Sequence, residues 1–204
     1  AGMLELPVED TTFDGVCVTG QGRQVSLSEI AVQATCGNIQ ELQATASFSS
    51  MISPPPYMAG LAEVEIDPET GSVEVTDYVA VVDCGTPVNP NLARVQTEGG
   101  IVQGIGMALT EEVQYTDTGR IRNNSFMQYK IPSRMDVGQI RVEFESSYEQ
   151  SGPFGAKSIG ELVIDTPCPA IADAVYNAVG VRIRELPITP EKIAMGIAKE
   201  RQEV

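Results

Sequence analysis

Two runs of alternating apolar and polar residues between positions 54 and 85 constrain this chain most. A DPETG segment joins the two runs, in which Pro68 suits a turn and Gly71 supplies a positive φ angle. Alternation with a period of two is typical of a β-strand that buries one face. The pattern therefore predicts a β-hairpin within a sheet that other elements cover.

Helices are predicted on both sides of the hairpin from their start and stop signals. Ser26, followed three residues later by a glutamate, forms a capping box for a first helix. A second helix is expected to begin at Pro169 and to end at Gly180. Thr189 is the expected N-cap of a third helix.

Further extended segments complete the predicted sheet. Residues 138–147 alternate as a strand, and residues 115–132 suggest a turn and a short extended piece, which gives at least four strands. The predicted fold class is α+β, with a mixed or mainly antiparallel sheet and helices packed on it. One domain over residues 1–204 is expected, with a sub-boundary near residues 50–60 as the alternative division.

A long helical stretch from residue 89 onwards carries four glycines in its middle. Each glycine costs about 1 kcal/mol relative to alanine inside a helix, so a compensating reason is needed. Packing of the bare helix face against a strand is one explanation, and close approach of a flat cofactor is the other. The four residues are Gly99, Gly100, Gly104 and Gly106.

The acidic composition excludes several classes of partner. The chain has 13 basic against 28 acidic side chains, a formal charge of −15 and a pI near 4.3, which repels nucleic-acid phosphates and anionic lipids. Its apolar runs are much shorter than the roughly 20 residues that span a bilayer. We therefore expect a cytoplasmic protein that binds neither nucleic acid nor membrane.

The available residue types also restrict the chemistry. Histidine is absent, which excludes Ser-His-Asp and Cys-His nucleophiles and the common histidine-containing metal sites. Cys17, Cys36, Cys84 and Cys168 are scattered without a C-x-x-C pair, so buried free thiols are expected rather than zinc or iron–sulfur ligands. Acid–base chemistry falls to carboxylates, lysines or tyrosines, and no metal ligand is assigned.

One carboxylate differs from the others in its surroundings. Asp67, Glu69 and Asp83 lie in or beside the hairpin, where turn formation and solvation account for them. Glu161 follows small residues and precedes the apolar residues 162–164, a partly desolvated setting that favours a general base. A carboxylate that accepts hydrogen bonds from backbone amides at a helix start is the alternative, and the residues alone leave both interpretations open.

A resemblance to one known family rests on three segments, which follow in this order from Ala62 onwards: AEVEIDPETGSVEVTDYVAVVDCGTPVNP, QTEGGIVQGIGMALTEE and GPFGAKSIGELVIDTPCPAIADAVYNAVGVRIRELPITPEKI. Together they resemble the molybdenum-binding subunit of the xanthine dehydrogenase and aldehyde oxidase family of molybdenum hydroxylases. The resemblance implies that the chain is the C-terminal portion of that subunit. Its fold would then resemble the second half of the molybdopterin-binding domain of xanthine dehydrogenase.

The resemblance also implies a set of site residues. Glu161 falls on the position of the glutamate that faces molybdenum, which implies a general base that takes the proton of the attacking hydroxyl, with water as the oxygen source. Gln96 matches a glutamine beside the pterin, although Val95 replaces a common glycine, and Leu162 replaces a common proline. The loop that lines the cofactor corresponds to Ala156, Lys157, Ser158, Ile159 and Gly160.

The implied protein is an oxidoreductase that hydroxylates purines such as xanthine or hypoxanthine, or related N-heterocycles. Oxidation of aldehydes or carbon monoxide within the same family is one alternative, and a non-catalytic scaffold module is another. The implied cofactor is molybdenum-molybdopterin in the cytosine dinucleotide form. The chain would need the upstream half of the molybdenum subunit for activity, and 2Fe-2S and FAD are expected on partner subunits or domains.

Overall fold

The computed structural model describes residues 1–37 and 45–203 of the chain. The backbone divides into two compact units, Ala1–Ser49 and Ser50–Val204. Each unit has a three-stranded sheet of its own.

The described residues of the first unit form a small antiparallel sheet followed by an α-helix. Ser26 Oγ accepts a hydrogen bond from the Glu29 amide at 3.2 Å, and Glu29 Oε2 accepts one from the Ser26 amide at 2.8 Å. This reciprocal pair begins the helix, so the predicted capping box is confirmed. The elements are β1 (Thr12–Phe13), β2 (Cys17–Gly20), β3 (Arg23–Ser26) and α1 (Leu27–Cys36).

The second unit is built on the predicted hairpin, which is confirmed. Strands β4 (Tyr57–Ile66) and β5 (Val73–Asp83) pair in antiparallel fashion, and β6 (Gln139–Phe144) pairs with β5 in parallel. Gly71, in the turn between β4 and β5, has a φ of +73°. The resulting mixed sheet and its helices agree with the predicted α+β class.

The expectation of at least four strands in one sheet is wrong. The described ranges contain two separate sheets of three strands each. Within residues 115–132 only an isolated bridge forms, between Tyr115 and Ile121. The next amides along the chain donate to side chains and not to a partner strand: the Gln114 amide donates to Asn123 Oδ1 at 3.0 Å, and the Arg120 amide donates to Thr116 Oγ1 at 3.1 Å.

The second unit also contains three helices, α2 (Pro90–Leu109), α3 (Pro167–Val179) and α4 (Pro190–Glu203). Helix α3 begins two residues earlier than expected, because Pro167 in the first turn has no N–H that would need a partner. Gly180 ends α3 with a φ of +75°, and Thr189 Oγ1 accepts a hydrogen bond from the Lys192 amide at 3.3 Å before α4. None of the helices in the described ranges is long and apolar enough to cross a bilayer.

An apolar core joins the sheet of the second unit to its helices. Tyr78 of β5 is fully buried, and its hydroxyl shares a 2.8 Å hydrogen bond with Thr166 Oγ1, directly before α3. This bond satisfies a polar group that burial would otherwise leave without a partner. The other largest buried apolar side chains of this core are Val75, Val82, Ile101, Ile171, Val175, Ile188 and Ile193.

Three of the four helix glycines allow close packing. An added Cβ on Gly100 would lie 2.2 Å from Val163 Cγ2, and one on Gly104 would lie 2.6 Å from Pro167 Cγ. An added Cβ on Gly106 would clash as well. Gly100 and Gly104 therefore receive the residues that lead into α3, whereas Gly106 receives Glu111 and Pro132. The packing explanation from the sequence proposed a strand at this face.

The cysteines are free thiols, as expected, but they are not all buried. Cys84, at the end of β5, is buried, whereas Cys17 and Cys168 are half-buried and Cys36 is exposed. The expectation of buried thiols is therefore wrong for three of the four. Cys36 is exposed because it lies in the last turn of α1, a helix without buried residues.

We expect Gly104→Ala to lower the free energy of unfolding by about 1–2 kcal/mol, because its methyl group would meet the rigid Pro167 ring. Gly99→Ala is the matched control, since a Cβ there would meet nothing within 4 Å. The control is expected to be neutral or to stabilise by up to about 1 kcal/mol through helix propensity. Urea unfolding of the cofactor-free protein measures both changes, and equal shifts for the two variants would contradict the packing assignment.

Candidate functional site

A groove of about 930 Å³ lies between α2 and the residues that precede α3, and we call it the α2 groove. Its volume is in the range of small-molecule and cofactor sites. The α2 residues that line it recur at helical spacing, so they share one face of the helix. The lining consists of Leu92, Val95, Gln96, Gly99, Gly100 and Gln103 from α2, and of Gly160, Glu161, Val163, Ile164 and Asp165 opposite.

Glu161 lies on the edge of this groove with its carboxylate exposed. It precedes a single 3-10 turn, Leu162–Ile164, but its side chain caps no backbone amide there. The interpretation of Glu161 as a helix-start carboxylate is therefore wrong. The expected partial desolvation is also wrong for this chain, because Glu161 is exposed, whereas Val163 is buried against Gly100 of α2.

The Glu161 carboxylate has no hydrogen bond or ion pair with any residue of the ranges 1–37 and 45–203. Its neighbour is held in place, since Gln96 Nε2 donates a hydrogen bond to the Gly160 carbonyl at 2.9 Å. This bond ties the residue before the carboxylate to α2. The groove thus presents an uncommitted carboxylate on a backbone that is fixed at the preceding residue.

Bare backbone forms part of the groove on both sides. Gly99 on α2 and Gly160 opposite would each carry a Cβ that meets nothing within 4 Å, so a side chain there would project into open space. In the described part of the chain, the backbone amides of residues 158–161 donate no hydrogen bond. A flat group can therefore approach the backbone closely, and free amide donors lie beside it.

The remaining predicted cofactor residues lie outside the lining of the groove. Gln96, Gly160 and Glu161 are brought together there, but Ala156, Ser158 and Ile159 lie on the preceding loop. Lys157, on the same loop, does not point to the groove either. Its side chain is only 8% exposed and pairs with Asp83 at the end of β5.

Asp83 receives this lysine and two further donors. Lys157 Nζ lies 2.6 Å from Asp83 Oδ2, and the Ser147 hydroxyl and the Gly85 amide donate to Oδ1 at 2.5 and 3.0 Å. The hydrogen bonds from Lys157 and Ser147 lower the pKa of Asp83 from 3.8 to about 2. Solvation at the end of the hairpin therefore does not account for Asp83, whereas Asp67 does stabilise its turn by accepting from the Glu69 amide at 2.9 Å.

Sequence reasoning missed the pairing of Asp83 with Lys157, which are 74 positions apart. No spacing signal joins them, because the contact depends on how the loop returns to the end of β5. It also missed Gln103 and Asp165 as groove residues. Gln103 was accessible in principle, since it continues the face of α2 that contains Gln96 and Gly99 by helical spacing.

The mixed sheet and the glycine-faced helix place an open groove beside α2, in the size range of cofactor sites. Comparison with known proteins identifies the kind of cofactor. The chain belongs to the molybdopterin cofactor-binding domain family, whose model matches residues 1–138. The matched range includes α2 and ends before the loop that carries Glu161.

Individual relatives extend the similarity over almost the whole chain. The "Probable hypoxanthine oxidase XdhD" of Escherichia coli strain K12 is 36% identical over 203 residues, which cover 98% of this chain and 21% of that protein. The "Aldehyde oxidoreductase molybdenum-binding subunit PaoC" of the same strain is 32% identical over 91% of this chain and 25% of that protein. The crystal structure of quinoline 2-oxidoreductase from Pseudomonas putida 86 matches with a TM-score of 0.79 at 32% identity. The match covers 97% of this chain and 27% of that one.

This chain thus spans about a fifth to a quarter of the length of the curated relatives it matches. The residues present fit a molybdopterin cofactor, because bare glycine backbone, free amides and the amide side chain of Gln96 border one groove. Among the described residues, no group of three or more His, Cys, Asp or Glu side chains is placed to hold a metal ion.

We expect Asp83→Asn to lower the free energy of unfolding at neutral pH, by on the order of 1 kcal/mol after solvent screening. The folded-state pKa of Asp83 is depressed, so its contribution is present above about pH 4 and is lost as pH falls toward about 2. The difference between wild type and Asp83→Asn should therefore shrink on acidification. Urea unfolding at several pH values tests this, and a difference that grows as pH falls would contradict the ion-pair assignment.

Proposed function

We propose that this chain is part of the molybdenum-binding subunit of a hydroxylase that oxidises N-heterocycles such as hypoxanthine or xanthine, with Glu161 as its general base. One observation carries the proposal. Among the described residues the exposed Glu161 carboxylate has no partner, and it lies on a groove whose opposite wall includes the open backbone at Gly99. A carboxylate that is held by no donor is free to accept a proton from a group bound beside it.

The other groove residues would hold the cofactor and orient it. Gln96 can offer its amide to the pterin, and Gly99 leaves room for a planar ring against α2. The amides of residues 158–160 can donate hydrogen bonds to the cofactor, which supports a binding role for Ser158, Ile159 and Gly160. The bound molybdenum cofactor would supply the redox centre, which no side chain of this chain provides.

The relatives and the chemistry of the proposed base support this substrate class. Hypoxanthine and quinoline, which appear in the names of two similar proteins, are both N-heterocycles. Their ring carbon beside nitrogen is electron-poor and is attacked more readily once a carboxylate has removed the proton of the attacking hydroxyl. Water would be the source of that hydroxyl. Aldehyde oxidation is the alternative, since the aldehyde oxidoreductase subunit is similar over 91% of this chain.

The short span of this chain implies that other parts complete the site. Because it corresponds to 21–27% of the three proteins described above, we propose that the upstream half of the molybdenum subunit supplies the remaining walls of the groove. Iron–sulfur and FAD subunits or domains would accept the electrons. The cytosine dinucleotide form of molybdopterin is our proposed cofactor.

The test uses the complete complex that contains this chain, assayed for dye reduction with hypoxanthine, quinoline, an aldehyde and carbon monoxide. Glu161→Gln should reduce kcat with the preferred substrate about 10²- to 10⁴-fold while the molybdenum content is unchanged, because only the proton acceptor is lost. Glu98→Gln is the matched control, since it neutralises a carboxylate on α2 that does not line the α2 groove.

Three results would each contradict a part of this proposal. Unchanged turnover of Glu161→Gln, with full molybdenum content, would exclude Glu161 as the base. A preference for the aldehyde would replace the N-heterocycle as substrate class. A complex that contains no molybdenum would favour a non-catalytic scaffold module.

A further inference from the structure

The loop that leads to Glu161 is attached to the end of β5 by backbone hydrogen bonds. The Lys157 amide donates to the Cys84 carbonyl at 2.7 Å, and the Thr86 amide donates to the Gly155 carbonyl at 2.8 Å. These bonds flank an isolated bridge between Gly85 and Ala156. Three residues then separate the attached backbone at position 157 from the proposed base.

Two glycines allow the loop to come this close. An added Cβ on Gly85 would lie 2.2 Å from the Gly155 carbonyl oxygen. Gly155 itself has a φ of +82°, and an added Cβ would lie 2.4 Å from the ring of Tyr148. The approach of the loop to β5 is thus a tight backbone contact that leaves no space for side chains.

A half-buried ion pair lies directly beneath this contact. The Lys157 side chain is 8% exposed and that of Asp83 is 23% exposed, so the pair is partly shielded from solvent. The Lys157 ammonium also lies 5.2 Å from the centre of the Tyr57 ring, on β4. Its charge is therefore engaged by the sheet and not by the α2 groove.

The segment that carries the base is thus held at two points. The Asp83–Lys157 pair, together with the Lys157 amide bond to the Cys84 carbonyl, holds its beginning to the sheet. The bond from Gln96 to the Gly160 carbonyl holds its end to α2. Only residues 158 and 159 lie between the two points of attachment. A segment this short cannot relax independently of its ends, so loss of the pair would displace the carboxylate that follows.

We propose that Lys157 and Asp83 are positioning residues, whose ion pair sets the location of Glu161 on the α2 groove. The proposal rests on the proposed function for the role of Glu161, but the attachment itself can be measured without turnover. The family resemblance implied that Lys157 binds the cofactor directly. The proposal gives it a positioning role instead. A displacement of about 1 Å at a reacting group can cost about 10²-fold in rate.

The experiment compares Lys157→Met, Lys157→Arg and Asp83→Asn in the complete complex. Hydrogen exchange followed by mass spectrometry reports on the Thr86 amide and on the amide at position 157, which lock the loop to β5. Lys157→Met and Asp83→Asn should accelerate exchange of both amides about tenfold or more. They should also lower kcat by roughly 10- to 100-fold with little change in KM or molybdenum content.

Arg182→Met is the matched control, because Arg182 pairs with Asp173 at 2.5 Å and stacks over Tyr176 at 3.8 Å, away from the α2 groove. It should change neither exchange at the two reporter amides nor kcat. Lys157→Arg keeps the positive charge, so it should retain most of the wild-type protection of the two amides and most of the wild-type kcat. This rescue also separates positioning from misfolding if the methionine variant proves too unstable to isolate.

Each contrary result is distinct. If Lys157→Met behaves like Arg182→Met, the ion pair does not position the loop. If it loses molybdenum while exchange is unchanged, the lysine binds the cofactor and the proposal is wrong. If Glu161→Gln keeps full turnover, the base assignment fails, whereas the exchange data still decide whether the pair holds the loop.

Discussion

The close approach of helix α2 to the segment before α3 determines the arrangement of the second unit. Gly100 and Gly104 have no side chains, so Val163 and Pro167 lie directly against the helix backbone. This contact fixes where α3 begins, and the hydrogen bond between Thr166 and the buried Tyr78 joins the same point to β5. The helix propensity that the glycines lose is offset by packing that no larger residue would permit.

The groove and the proposed base are consequences of that contact. Val163 packs inward against α2, so the residues just before it lie along the groove with Glu161 at its edge. Gly99 does not take part in this packing and leaves the wall of the groove bare beside Gln96. One helix therefore supports both packing and the groove, because Gly100 and Gly104 are tightly packed whereas Gly99 stays open.

The ion pair between Asp83 and Lys157 attaches the beginning of the loop before Glu161 to β5. Asp83 collects a lysine, a hydroxyl and an amide, and these donors keep it ionised well below its ordinary pKa. The chain belongs to a cofactor-binding family and spans only 21% of one relative's length, and we propose that other parts complete the groove. In the proposed site this chain would contribute a carboxylate and the attachments that locate it.

The sequence by itself determined the hairpin, the helix caps and the α+β class, because turn residues, capping boxes and period-two alternation act over a few positions. The family and the candidate base Glu161 were also accessible, through contiguous segments of resemblance. Only the tertiary structure decided which glycines pack and which stay open, and that Lys157 pairs with Asp83. Those contacts join residues far apart in the chain, and their spacing follows from how the elements pack and not from any local pattern.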